Sequence, residues 1–344
     1  MPIMYLSWII ILNEKGYWRN TMVEDDYFDG KEILITGGTG SLAKALLKEL
    51  ESHNPKGIRL FSRDELKQWE LRQTVSEYKN NISFLVGDIR DEKRIELACK
   101  GVDILIHTAA LKQVPACEDN PLEAIQTNVI GSRNVFYAAL ENKVEKVMAI
   151  SSDKAVYPIN LYGATKMCME KLFIQGNTYS GNRAPHFSCC RYGNVIGSRG
   201  SVIPLFKKQA ETGVLTITHK DMTRFWIRLG DVAKFILKAV CYMKGGEIFV
   251  PRMPSAKVID IAYGVMRNQT VPLGIIEIGI RPGEKMHETL VTEEEMGSAA
   301  INEDMSCFVI CGGKFHLGGR SYQSDENLIW LIDKEIDQIV KEEM

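Results

Sequence analysis

The chain has 344 residues, 45% of them apolar and 25% charged, with a formal net charge of −2 at pH 7. That length suits one large domain with a smaller partner, and the nearly balanced charge excludes the basic footprint of a nucleic-acid binder. Eight cysteines fall in no Cys-x-x-Cys grouping and six histidines in no metal-ligand spacing, so reduced core thiols, a cytoplasmic setting and no metal are expected.

The first apolar run, Met4 to Leu12, is too short to span a bilayer, and Asn13 to Arg19 offers no small-residue cleavage site. No membrane association is expected. Residues 1–28 read as an N-terminal extension, of which 1–21 is an upstream-start addition or a partner-binding segment. Lys31 to Thr36 then reads as a strand entering a turn of Gly37, Gly38, Thr39 and Gly40. Ser41, Leu42 and Ala43 start a helix with Leu and Ala at helical spacing. Gly37 permits the tight turn, Gly40 lets the backbone approach a pyrophosphate at the positive end of the helix, and Ala43 takes the third small position. A Gly-rich turn alone often serves only as a turn; the strand before it and the helix after it give this one its weight.

The next strand, Gly57 to Phe61, ends in Ser62 and Arg63 with Lys67 following, a hydroxyl and two cations that favour a 2′-phosphate and hence NADP over NAD. Asp64 is the nearest competing carboxylate. Ile82 to Val86 leads to Asp88 and Ile89, with Asp88 placed to reach an adenine edge. Val102 to His107 leads to Thr108, Ala109, Ala110, Leu111 and Lys112, where small side chains let a cofactor lie across the strand ends. Arg94 to Cys99 and Leu122 to Leu140 read as helices, Asn128 lying on the longer one. This alternation predicts a doubly wound α/β domain, a parallel Rossmann sheet covered on both faces.

After the strand Lys146 to Ile150 comes the stretch richest in chemistry, Ser151 to Lys166. Tyr162 and Lys166, four apart, share a helix face, so an ammonium can lower the phenol pKa and leave a base for a hydroxyl proton. Asp153 and Lys154 add an acid and a base for expelling water, which plain alcohol oxidation does not need. Singly, each motif is common on helices and surfaces; their order behind a nucleotide-binding opening makes them candidates. Further on, Arg191, Arg199, Arg224, Arg252 and Arg281 interleave with Gly, Asn and aromatic residues, and planar arginine donors suit phosphate oxygens.

Several blocks in one order carry a resemblance: Thr36-Gly-Gly-Thr-Gly, Phe61-Ser-Arg-Asp-Glu-Leu-Lys-Gln, Ala109-Ala-Leu-Lys-Gln-Val-Pro, Ser152-Asp-Lys-Ala, Tyr162-Gly-Ala-Thr-Lys, Arg191-Tyr-Gly-Asn-Val-Ile-Gly-Ser-Arg-Gly-Ser-Val, Met222-Thr-Arg-Phe-Trp-Ile and Arg281-Pro-Gly-Glu-Lys. From about Lys31 to Leu290 the chain resembles the extended short-chain dehydrogenase/reductases, specifically the inverting UDP-N-acetylglucosamine 4,6-dehydratases of the pseudaminic-acid pathway. It departs from the family at Ala43 (usually Gly), Thr108 (Ala), Ser152 (Thr) and Tyr157 (Asn). Ala43 bears on cofactor affinity and Tyr157 on the pocket edge beside the acid-base pair.

The resemblance implies an NADP-binding Rossmann domain over 29–186, with 226–249 returning to it, and a UDP-sugar domain from 187–225 and 250–344. It implies tightly bound NADP, regenerated each turnover, held by Gly37, Thr39, Gly40, Ser41, Leu42, Ser62, Arg63, Lys67, Asp88, Ile89, Ala109, Ala110, Lys112, Asn128, Tyr162 and Lys166. UDP-N-acetylglucosamine would meet Lys112, Asn194, Arg199, Val202, Arg224, Arg252, Arg281 and Glu284. In the implied chemistry Tyr162, kept acidic by Lys166, takes the C4 hydroxyl proton while Ser152 orients that hydroxyl. Lys154, which must be neutral, removes the C5 proton as Asp153 protonates the departing C6 hydroxyl. Relatives form closed homo-oligomers, often hexamers. The alternatives are a retaining 4,6-dehydratase with the same dyad, a UDP-hexose 4-epimerase, which needs no dyad, and a catalytically silent Rossmann module.

Overall fold

The computed structural model describes residues 26–75, 81–181, 183–198, 200–269, 272–311 and 319–343. Six short runs rich in Ile, Leu, Val and Phe form the parallel strands β1 (Glu32–Thr36), β2 (Gly57–Ser62), β3 (Ile82–Val86), β4 (Ile104–His107), β5 (Lys146–Ile150) and β6 (His186–Cys190). Their order is β6-β5-β4-β1-β2-β3, so the chain reverses direction of travel across the sheet between β1 and β4. In open α/β sheets that switch point is where strand C-termini open a crevice for ligands.

Helices α1 (Ser41–Leu50), α2 (Glu65–Thr74), α3 (Glu92–Cys99), α4 (Val114–Asp119), α5 (Pro121–Ile125), α6 (Gly131–Glu141) and α7 (Leu161–Ser180) fill the connections. The α1 positions at helical spacing, Ala43, Leu46, Leu47 and Leu50, are the ones that bury. The helix expected over 122–140 is present but uneven: Gln126–Ile130 forms a π-helical turn between α5 and α6. That turn carries Asn128, whose side chain leaves the helix for a neighbouring backbone. A π turn at such a point re-aims a side chain that a regular helix would direct elsewhere.

Beyond β6 come β7 (Asn194–Ile196), β8 (Val214–Ile217), β9 (Thr223–Arg228), β10 (Ile248–Pro251), β11 (Ser255–Lys257), β12 (Gly274–Glu277), β13 (Thr289–Val291), β14 (Ala299–Asn302), β15 (Cys307–Ile310) and β16 (Tyr322–Gln323). They are interspersed with α8 (Val202–Ala210), α9 (Leu229–Tyr242), α10 (Val258–Arg267), α11 (Glu293–Met296) and α12 (Asp333–Glu343). β10 pairs parallel with β6, and antiparallel β15 and β14 extend the main sheet to nine strands. The remaining strands make small sheets β11-β9-β7, β12-β8 and β13-β16. Residues 250–344 therefore give strands both to the main sheet and to the smaller ones. A second core with Phe206, Trp226, Ile261 and Val340 lies under the sheets β11-β9-β7 and β12-β8, whereas Leu290 and Val291 of β13 join the main core, and α9 packs back on α1.

Most of the expected N-terminal extension, residues 1–25, lies outside the described residues, while Phe28 at its end is buried in the main core. Cys99, Cys117, Cys189, Cys190 and Cys307 are buried thiols. Among the described residues no helix is long and apolar enough to cross a membrane, and no cluster of His, Cys, Asp and Glu has the makings of a metal site.

Candidate active site

A cleft of about 1010 Å³ runs along the C-terminal ends of β2, β1, β4 and β5. Its first wall is the Gly-rich turn. Gly37 has φ +68°, and a Cβ there would come within 2.7 Å of Thr108 Oγ1 and 3.0 Å of the Ala109 backbone, so glycine is required by the next strand end as well as by the turn. Gly40 is the N-cap of α1 and no side chain caps it. Ser41 and Leu42 line the cleft, so the uncapped helix start turns its positive end toward that space. This fits a dinucleotide pyrophosphate, as do the small Ala109 and Ala110 on the opposite lip.

At the end of β2, Ser62 is pinned by Gln68, whose Nε2 donates to its Oγ at 2.9 Å. Asp64 accepts the Lys67 N–H at 3.0 Å as the α2 N-cap and also pairs with the Lys67 ammonium. The competing carboxylate is thus spent on the helix start. Arg63 remains half exposed at the cleft, 3.6 Å from Asp88. Asp88 is itself held by Arg90, which donates from its backbone to Oδ1 and from Nε to Oδ2, each at 2.9 Å. Ile89 also lines the cleft.

Asn128 does not line it. Its Oδ1 accepts the Leu111 N–H and its Nδ2 donates to the Leu111 carbonyl, both at 2.8 Å, with a further bond of 3.0 Å to Thr165 Oγ1. Its place is behind the cleft, holding the 109–112 segment to α7. Lys112 does face the cleft, and burial pushes its ammonium below the ordinary lysine range.

Ser152, Lys154, Tyr162 and Lys166 converge on one end of the cleft. Ser152 has extended backbone and caps a single 3-10 turn, Asp153–Ala155, which sets Asp153 and Lys154 beside the start of α7. Asp153 is wholly buried, its Oδ1 accepting from Ser152 Oγ at 2.8 Å and from Lys154 Nζ at 3.0 Å. Asn160 caps α7 by accepting the Gly163 N–H at 2.7 Å, and a Cβ on Gly163 would collide with the Lys154 carbonyl at 2.1 Å. The helix bearing Tyr162 can approach the dyad only because that position is glycine.

Two electrostatic expectations are corrected. Tyr162 is not held acidic by the protein's own groups: burial pushes its phenol up to about 12, with the Lys154 charge and hydrogen bonding to Ser152 only partly offsetting this. Lys166, which was expected to lower it, instead has Nζ 3.4 Å from Met169 Sδ, and burial pushes its pKa down to about 8. Nor is Lys154 held neutral. Burial alone would lower its pKa, but the carboxylates of Asp153 and Glu288 outweigh that and raise it above the usual lysine value. Glu288, 3.3 Å from Lys154 Nζ and 2% exposed in its side chain, is a residue that sequence reasoning missed; it lies three positions past the nearest recognisable block and carries no local motif.

Of the candidate substrate residues, Asn194 joins Lys112 in the cleft. Val202, Arg224, Arg252, Arg281 and Glu284 do not line it, and Arg199 lies outside the described residues. Arg224 is buried, donating to the carbonyls of Thr223, Lys285 and Met286 at 2.7, 2.9 and 3.1 Å, with Glu284 at 3.6 Å. Arg252 is 3.5 Å from Glu303, and Arg281 is exposed. Gln113, Tyr192, Ser201 and Trp226 line the cleft without having been singled out. Of the departures, Thr108 donates to the Thr36 carbonyl at 2.7 Å. Tyr157, at φ 43°, sends its hydroxyl 2.8 Å to Glu294, away from the cleft.

The family of polysaccharide biosynthesis proteins has a model that matches residues 33–309. The chain belongs to this family. Within it, the chain is 43% identical to the inverting UDP-N-acetylglucosamine 4,6-dehydratase of Campylobacter jejuni (serotype O:23/36, strain 81-176), across 91% of this chain and 98% of that protein. It is 45% identical to a UDP-glucose 4-epimerase of Rickettsia canadensis, across 79% of this chain and 81% of that one. Among solved structures, Pen from Bacillus thuringiensis superposes with a TM-score of 0.87 at 36% identity, covering 92% of this chain and 99% of Pen.

Proposed function

We propose that this family member is an NADP-dependent UDP-N-acetylglucosamine 4,6-dehydratase that inverts C5. The observation that carries the reading is the acid-base pair Asp153–Lys154, hydrogen-bonded at 3.0 Å, with Lys154 lining the cleft beside Tyr162 and Asp153 buried directly behind it. An epimerase moves a hydride off and back at C4 and has no water to expel, so it has no use for this pair. The longer span of similarity to the C. jejuni dehydratase supports the same choice.

NADP would lie with its pyrophosphate at Gly37, Thr39, Gly40, Ser41 and Leu42, its 2′-phosphate at Ser62, Arg63 and Lys67, and its adenine near Asp88 and Ile89. Its nicotinamide end would lie toward Ala109, Ala110, Tyr162 and Lys166. When bound, its oxidised nicotinamide supplies a positive charge and a hydride acceptor that takes hydride from C4 and later delivers it to C6. Tyr162 would take the C4 hydroxyl proton as phenolate, once the positive charge of the nicotinamide offsets the burial that raises its phenol, with Ser152 orienting that hydroxyl. The C4 ketone acidifies the C5 proton, which Lys154 removes while Asp153 protonates the departing C6 hydroxyl. Lys154 then gives the abstracted proton up to water, and a proton of solvent origin delivered to C5 from the opposite face completes the L-arabino 4-keto-6-deoxy sugar.

The UDP-sugar is assigned to 187–225 and 250–344, with Lys112 and Asn194 meeting it at the cleft. The nucleotide end is assigned to Arg199, Val202, Arg224, Arg252, Arg281 and Glu284. Arg224 reaches it only by releasing some of its backbone partners. The protein works as a homo-oligomer, on the family pattern a hexamer, in the cytoplasm. The deciding experiment is proton NMR of the first product from UDP-N-acetylglucosamine in deuterium oxide. Deuterium at C5 with L-arabino ring couplings is expected; D-xylo couplings would make this a retaining enzyme, and a 4-epimer that keeps its C6 hydroxyl would overturn dehydration.

A further inference from the structure

Lys154 does not face Asp153 alone. Oε1 of Glu288 lies 3.3 Å from its Nζ, brought from a distant part of the chain, one residue before β13. The Glu288 backbone is pinned on both sides by Ser324: its N–H donates to Ser324 Oγ and its carbonyl accepts the Ser324 N–H, each at 2.9 Å. Ser324 in turn shares a 2.7 Å hydrogen bond with Thr223 Oγ1 on β9. The carboxylate is therefore placed by three segments that meet behind the cleft.

The charges around the amine alternate. Asp153 faces Lys154 from its own turn and Tyr162 from α7. Arg224 comes from β9, and Glu288 and Lys285 come from the segment before β13. Glu288 has Lys285 Nζ at 3.6 Å from Oε2 and Arg224 Nε at 3.9 Å from Oε1, while Oε2 makes no hydrogen bond among the described residues. One carboxylate thus sits among three cations.

We propose that Glu288 is a positioning residue for Lys154, fixing its amine beside Asp153 and governing how readily that amine gives its proton to Asp153. The inference rests on the proposed dehydration. There the amine must be neutral before it takes the C5 proton. Moving one proton along the Lys154–Asp153 hydrogen bond breaks an N–H bond, forms an O–H bond and turns ammonium plus carboxylate into amine plus carboxylic acid. Both groups are then in the state that elimination needs, with no charge exchanged with solvent. Glu288 opposes that transfer by stabilising the ammonium, and Arg224 and Lys285 temper Glu288.

The test has one arm that needs no substrate. The pH dependence of Lys154 acylation by acetic anhydride, read by peptide mass spectrometry, reports when the amine loses its proton. Glu288→Gln should lower the midpoint by about one pH unit or more, the effect of removing an opposite charge at this range. Lys285→Met, which removes a neighbouring cation, should raise it; Glu288→Asp should hold it near the parent. In the second arm, the acid limb of kcat for dehydration of UDP-N-acetylglucosamine should move down in Glu288→Gln, with KM changed less than about twofold. Lys285→Met and Glu288→Asp keep the test open if Glu288→Gln does not fold. Unmoved acylation midpoints in the folded variants would overturn the role of Glu288. Midpoint shifts in the variants together with a parent protein that does not dehydrate the sugar would overturn the proposed activity and leave the coupling standing.

Discussion

Asn128 and Leu111 are joined by two hydrogen bonds of 2.8 Å, one in each direction, so a single side chain satisfies both backbone groups of a residue in the cleft wall. Asn128→Ala leaves those groups unpaired. An unsatisfied buried group costs about 1–3 kcal/mol, and because Leu111 is only half-buried at the cleft wall the two together should cost about 1–3 kcal/mol of stability in urea unfolding. NADP affinity should fall as well, because the 109–112 segment loses its tether. A variant with parent stability would show that the wall is held elsewhere.

Arg63 is the cation whose only described carboxylate neighbour, Asp88, is already taken by Arg90. Arg63→Ala should weaken NADP binding by about 1.5–3 kcal/mol, the worth of a charge-assisted hydrogen bond, and leave NAD binding nearly unchanged. Calorimetric titration with both cofactors decides it. Equal losses for the two would remove the assignment of the 2′-phosphate to this side chain.

Lys154→Ala and Tyr162→Phe should separate the two halves of the chemistry. The first should keep NADP binding and still allow C4 oxidation, with the near-ultraviolet absorbance of reduced nicotinamide appearing and no water eliminated. The second should show neither. Full dehydration by Lys154→Ala would mean that another group takes the C5 proton.

His107 gives a pH dependence with a defined sign. Its Nδ1 is 2.8 Å from Thr36 Oγ1 and its Nε2 3.0 Å from Ser132 Oγ, and burial, aided by the Lys166 charge, pushes its pKa down to about 3. The unfolded chain, with an ordinary histidine near pH 6.5, binds the proton more readily. Stability from this group is therefore complete above about pH 6.5 and falls as the pH drops toward about 3. Between pH 7 and pH 5 the loss should be about 2 kcal/mol in urea unfolding, and His107→Gln should show a smaller difference.

The sequence by itself determined the strand-helix alternation, the Gly-rich turn and the Asp153, Lys154, Tyr162 and Lys166 constellation, because these are local: periodicity, turn geometry and spacing along one helix face are written within a few residues of each other. β2 and β5 begin where their apolar runs begin, and Ser152, Lys154, Tyr162 and Lys166 meet in one cleft as their spacing requires. Only the tertiary structure decided the charge states, since these depend on burial and on partners far along the chain. The Lys154 ammonium is stabilised by Glu288, 134 residues away, and the Tyr162 phenol is raised by desolvation rather than lowered by Lys166. The π turn that frees Asn128 and the burial of Arg224 against backbone carbonyls belong to the same class. Each is settled by which groups folding brings to within about 4 Å, where low dielectric makes a neighbour's charge count.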